Sequence, residues 1–138
     1  MTDTDDVTTR IISVDDHVVE PEDLWTSRAP AGRRGVVPHT IVGDDGILYW
    51  VYESMRMPIS ITMVGAGTDI DARTLGYVSS YDELDPGHYR AAERAALLDR
   101  DGVLASLCFP TVPRFCGQTF LDASDKDLAL ACLQAYND

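Results

Sequence analysis

Ile11-Ile12-Ser13-Val14-Asp15-Asp16-His17-Val18-Val19-Glu20-Pro21 is a β-branched run broken by two acids and a histidine and closed by a proline. In a strand, alternate side chains share a face, so Asp15 and His17 point one way and Asp16 the other. A carboxylate oxygen and an imidazole nitrogen on one face both suit zinc or a similar divalent ion. Catalytic zinc sites use three protein ligands and leave a position open, so this pair is half a site. Taken alone, an Asp-x-His pair also serves as a hydrogen-bonded strand end. Its placement favours ligation, because an apolar strand that stops at charged residues is typical of the carboxyl end of a barrel or doubly wound sheet.

Working outward, residues 10–14 read as a buried strand, since Ile11, Ile12 and Val14 leave little polar face. Pro21 opens a helical turn through Trp25, a core anchor, and Glu20 is placed to favour the dipole of that turn. Residues 26–38 form a connecting loop. A hairpin follows, with strands at 39–42 and 47–53 around the turn Gly43-Asp44-Asp45-Gly46. Residues 57–63 are expected to add a third strand, held to the edge by Pro58.

Residues 64–88 are rich in Gly, Asp and Ser and read as a long irregular segment. Asp85 then caps a helix opened by Pro86 and running to about Arg100. Tyr89, Ala92, Ala96, Leu97 and Arg100 lie on one side of it, and Gly102 ends it. Residues 103–109 form a second buried strand, stopped by Pro110. Strand, helix, strand is the grammar of a βαβ unit, so the two strands are expected as parallel neighbours across a right-handed crossover that carries the hairpin. After a loop over 111–121, Ser124 and Asp127 resemble a capping box. The last helix then carries Leu128, Ala131, Cys132, Ala135 and Tyr136 on its core face.

The 138 residues, 45% of them hydrophobic, suffice for one domain over 10–138 after a polar tail at 1–9. A net charge of −12 argues against nucleic-acid and anionic-membrane partners, both of which demand a basic footprint. Cys108, Cys116 and Cys132 have neither a disulfide-framework count nor a zinc-knuckle spacing. With no leader pattern or apolar span evident, a reducing cytoplasm is the expected home.

Four motifs, VDDHVVEPEDLW at 14–25, YWVYE at 49–53, LLDRDGVLASLCFPT at 97–111 and LALACLQAYND at 128–138, occur in that order. As a set they resemble the amino-terminal third of metal-dependent enzymes of the amidohydrolase superfamily, in the branch of aminocarboxymuconate semialdehyde decarboxylase and the hydroxybenzoate decarboxylases. The resemblance implies an α/β fold: the amino-terminal portion of a (β/α)8 TIM-like barrel, with a β-hairpin inserted between the first and second barrel strands and the rest of the barrel missing. It implies Asp15 and His17 as ligands of a divalent metal, zinc foremost. Asp15 stands where the family more often has a histidine. The remaining ligands and the catalytic aspartate fall on later strands, which no position here matches.

The substrate expected from this resemblance is a small carboxylic acid, amide or ester. The reaction would be decarboxylation of an aromatic or enoic acid, or hydrolysis of an amide, ester or lactone, and these residues alone would be inactive. Arg114, just past the second strand, is a candidate for a substrate carboxylate, which its guanidinium fork matches. His39 and His88 read as surface or satisfied histidines. The competing expectation is a non-catalytic binding or assembly module. In it Asp15 and His17 only finish a strand and the aromatic hairpin packs on a partner, which a homo-oligomer would provide.

Overall fold

The computed structural model describes residues 11–61 and 76–138. The polar tail at 1–9, the last part of the expected third strand and residues 64–75 of the irregular segment lie outside the described residues. The fold is mixed α/β, with a two-stranded parallel sheet and a three-stranded antiparallel sheet.

The parallel sheet pairs β1 (Ile11–Val18) with β5 (Val103–Pro110), the pairing expected from the strand-helix-strand pattern. Between Ser13 and Asp16 β1 advances three residues while β5 advances two, from Ser106 to Cys108. This bulge bends the strand where its acidic residues begin. Beyond it His17 lies beside Phe109 and Val18 beside Pro110.

Burial departs from expectation. Ile11, Ile12 and Val14 of β1 and Leu104 and Leu107 of β5 are exposed, Leu107 by 58%. A parallel sheet is stable when layers cover both faces. Among the described residues, helix α1 (Ala91–Arg100) packs on β5, and the apolar side chains just named remain uncovered.

The core lies instead around the antiparallel sheet, built from β2 (His39–Val42), β3 (Leu48–Tyr52) and β4 (Met55–Pro58). Strand period two sends Leu48, Trp50 and Tyr52 inward and leaves Tyr49 and Val51 half-buried. The third strand starts two residues earlier than expected. Glu53, at a φ of 48°, and Ser54 make a tight turn that returns the chain at Met55. Pro58 does close an edge strand, as its missing N–H requires. The stretch at 76–78 straps this sheet, with Leu48 N–H donating to Val78 O at 2.8 Å and Val78 N–H to Ile59 O at 3.0 Å.

Trp25 is the hub of the core. Its indole meets Trp50 and Phe120 edge-on and stacks on Tyr136. Its Nε1–H donates to Cys132 O at 2.9 Å. Cys132 sits on the last helix, α3 (Lys126–Asn137), after the short α2 (Gln118–Asp122) that the sequence pattern did not mark. Leu128, Ala129 and Cys132 are the buried residues of α3, whereas Ala131 faces outward. Its cap is Asp125, whose Oδ1 accepts from Leu128 N–H at 2.9 Å, in place of the expected Ser124 and Asp127 box. Ser124 N–H is engaged by the Glu53 carboxylate instead.

The helix expected from Asp85 is split. Asp85 caps a separate 3-10 turn, Pro86–His88, through Gly87 N–H at 2.7 Å, and extended backbone at Arg90 precedes α1. The inward side of α1 is Arg94, Leu97 and Leu98, with Ala92 and Ala96 exposed. Gly102, at a φ of 70°, follows the helix as expected.

Candidate functional site

Strand alternation survives the bulge at the carboxyl end of β1: Asp15 Oδ1 and His17 Nε2 stand 3.4 Å apart, both largely exposed. With Val14, Phe109, Pro110 and Phe115 they line an open pocket of about 410 Å³. Phe109 lies 5.9 Å from the His17 ring and stacks on Phe115 at 6.3 Å, so one side of the pocket is an aromatic wall. Nothing in the sequence pattern marked either phenylalanine, since each contacts His17 or its neighbour only through strand pairing and loop return.

Asp16 points the other way, as its position in the strand dictates. It forms an ion pair with Arg94 of α1 and accepts from Ser106 Oγ, which ties β1, β5 and α1 together. Partial burial pushes its carboxyl up, but the bonds from Ser106 and Arg94 outweigh burial and hold it below the ordinary value.

Glu20 is 2% exposed. It does not cap the following turn. Its Oε1 accepts from Thr111 N–H at 2.9 Å and its Oε2 from Val112 N–H at 3.1 Å. Thr111 Oγ1 donates to Val18 O at 2.7 Å, and Tyr81 O–H donates to Glu20 O at 2.7 Å. These bonds staple the exit of β1 to the exit of β5 and set where the next loop leaves.

That loop carries Arg114. Its φ of 59° and ψ of −173° fall in a region that glycine adopts readily and other residues rarely do, at a cost of about 1–3 kcal/mol. Cys116, at a φ of 55°, repeats the strain two residues on. The Arg114 side chain is exposed and does not line the pocket of Asp15 and His17.

The other two histidines lie away from this pocket. His39 Nδ1 bonds to Val37 O at 2.8 Å, a satisfied histidine as expected. His88 is not at the surface: it is 7% exposed, and its Nε2 has no partner among the described residues.

As a test of the implied metal, Asp15 and His17 offer one oxygen and one nitrogen donor on one exposed face, chemistry that fits two ligands of a divalent ion. Among the described residues no group of three or more His, Cys, Asp or Glu side chains is placed to hold a metal. The two therefore fit as part of a centre. Among the described residues no helix is long and apolar enough to cross a membrane. Cys108, Cys116 and Cys132 are free thiols, with Cys132 buried.

Fold and site together define the protein by class: a mixed α/β protein with an acid and a histidine at the carboxyl end of a parallel strand pair. Compared with models of known protein families and with curated proteins, the chain matches none.

Proposed function

We propose that this chain supplies the first two strands of a metal-dependent (β/α)8 barrel enzyme, with Asp15 and His17 as two of the ligands of a divalent ion, zinc by donor chemistry. The observation that carries the reading is the placement of these two side chains. They share one face, 3.4 Å apart, where parallel strands end. Active sites of barrels are built at that end. The uncovered apolar side chains of β1 and β5 support the barrel reading, since a parallel pair needs further strands and helices to bury them.

When bound, the ion would supply Lewis-acid polarisation of a carboxylate or carbonyl, or a deprotonated water. The chain's own residues orient the substrate. Phe109 and Phe115 give a flat apolar substrate a surface to lie on beside His17. The Glu20 staple fixes the loop that brings Phe115 there. Arg114, on the same loop but outside the pocket lining, would have to turn inward to meet a substrate carboxylate. The reaction is decarboxylation of an aromatic or enoic acid or hydrolysis of an amide, ester or lactone, completed by groups on further strands.

The test is zinc titration of the isotope-labelled protein, followed through its three histidine rings. His17 is expected to shift saturably, with loss of the response in His17→Ala and weakening in Asp15→Ala. Zinc shifts confined to His39 or His88 would sink the assignment. A second reading, a non-catalytic assembly module, draws on the same uncovered strand faces. It predicts a stable complex with itself or a partner that His17→Ala leaves unchanged.

A further inference from the structure

On the opposite side of β1 from Asp15 and His17 lies a second pocket, of about 480 Å³. Its volume is within the range of small-molecule sites. Val18, Val19, Leu24, Leu98 and Tyr136 are among its lining residues, so its walls are largely apolar. Glu20 also lines it, with both carboxylate oxygens taken by backbone N–H groups, and the nitrogen-bearing side chains of the lining are basic. They come from one stretch: His88 on the 3-10 turn and Arg90 and Arg94 at the start of α1.

Three observations converge on these groups. Helix α1 spans ten residues, and among the described residues no side chain caps its first turn, so backbone N–H groups at its positive end lack the usual side-chain acceptor there. His88, 93% buried by its 7% exposure, has an Nε2 with no hydrogen-bond partner among the described residues. Arg94 Nε is buried and has no partner among the described residues either, even though the same guanidinium pairs through Nη2 with Asp16. Native proteins rarely leave buried nitrogens unpaired. Arg94 Nε lacks an acceptor, and His88 Nε2 donates to the same acceptor in its Nε2–H tautomer.

The carboxylates near the pocket are already engaged. Asp16 is held by Arg94 and Ser106, Glu20 spends both oxygens on Thr111 and Val112, and Glu93 pairs with Arg90 on the exposed side of the helix.

We propose that this pocket is a binding site for a small carboxylic acid with an apolar body, separate from the site of Asp15 and His17. The carboxylate is received by the start of α1, His88 Nε2 and Arg94 Nε. The hydrocarbon lies against Val18, Val19, Leu24 and Leu98. Helix N-termini favour anions. The apolar walls are what select an organic acid over inorganic phosphate, which would leave them wet and gain nothing from them.

The experiment titrates hexanoate, and separately inorganic phosphate, into the isotope-labelled protein and follows backbone amides and histidine rings. Hexanoate is expected to shift the His88 ring and the amides of Ala91, Ala92 and Glu93 saturably and in parallel. His88→Phe should weaken it by about tenfold, the loss of one good hydrogen bond to a charged acceptor. Arg90→Gln, at an exposed position that leaves folding intact, should weaken it by a smaller factor, and His17→Ala should leave it unchanged. Phosphate binding as tightly as hexanoate at the same amides overturns the proposal. So do hexanoate shifts confined to His17, or hexanoate affinity equal in His88→Phe, Arg90→Gln and the parent.

Discussion

At Glu20 two effects oppose each other. Burial pushes its carboxyl up, the N–H groups of Val112 and Thr111 pull it down, and burial wins, leaving it above the ordinary 4.5. A raised value means that the native state keeps a proton which the unfolded chain has released. The Glu20 contribution to stability is therefore full below pH 4.5 and falls as pH rises from there through the native value. Asp16, lowered from 3.8, has the opposite sign: its contribution is present above 3.8 and is lost as pH falls through the native value. Denaturant melts across pH check both. Glu20→Gln should gain on the parent as pH rises from 4.5 toward neutral. Asp16→Asn should cost about 1–3 kcal/mol at neutral pH, because it leaves the Arg94 charge half-buried without its partner, and the cost should shrink in acid. A difference between variant and parent that does not vary with pH would count against either assignment.

Among the elements, the antiparallel sheet and α3 carry the packing, and Trp25 joins them. Its indole donates across the core to Cys132 O, whereas Trp50 Nε1 has no hydrogen-bond partner among the described residues. The two tryptophans are equally buried and should respond differently to loss of the N–H. Trp25→Phe removes a second donor from Cys132 O, which keeps its intrahelical bond, and should cost about 0.5–1.5 kcal/mol more than Trp50→Phe, which removes a donor with no partner among the described residues. Urea unfolding of the two variants decides this, and equal losses would show that Trp25 contributes by volume alone.

For the whole molecule the decisive feature is the division between a well-packed half around Trp25 and Trp50 and a parallel pair whose apolar side chains meet solvent. Exposed apolar strands associate. A net charge of −12 opposes that association until salt screens it. Sedimentation velocity of the 138-residue chain should therefore show self-association that grows with ionic strength. The double variant Leu104→Glu, Leu107→Glu should suppress it without lowering the thermal midpoint, since both side chains already face water. A species that stays monomeric as salt is raised would contradict the prediction.

Local pattern determined much of this protein. Strand period two placed Asp15 and His17 together and Asp16 apart, turn chemistry marked the hairpin at 43–46, and Gly102 marked the end of α1, because each depends on residues a few positions away. Tertiary structure alone decided the role of Glu20, whose acceptor bonds reach 91 and 92 residues along the chain. It also decided the break at Arg90 that moved the start of α1 and buried His88. Finally, it decided which strands are covered. Ile11, Ile12 and Leu107 are apolar enough for a core, but burial is a property of what packs against a side chain, and the periodicity of a strand does not carry that information.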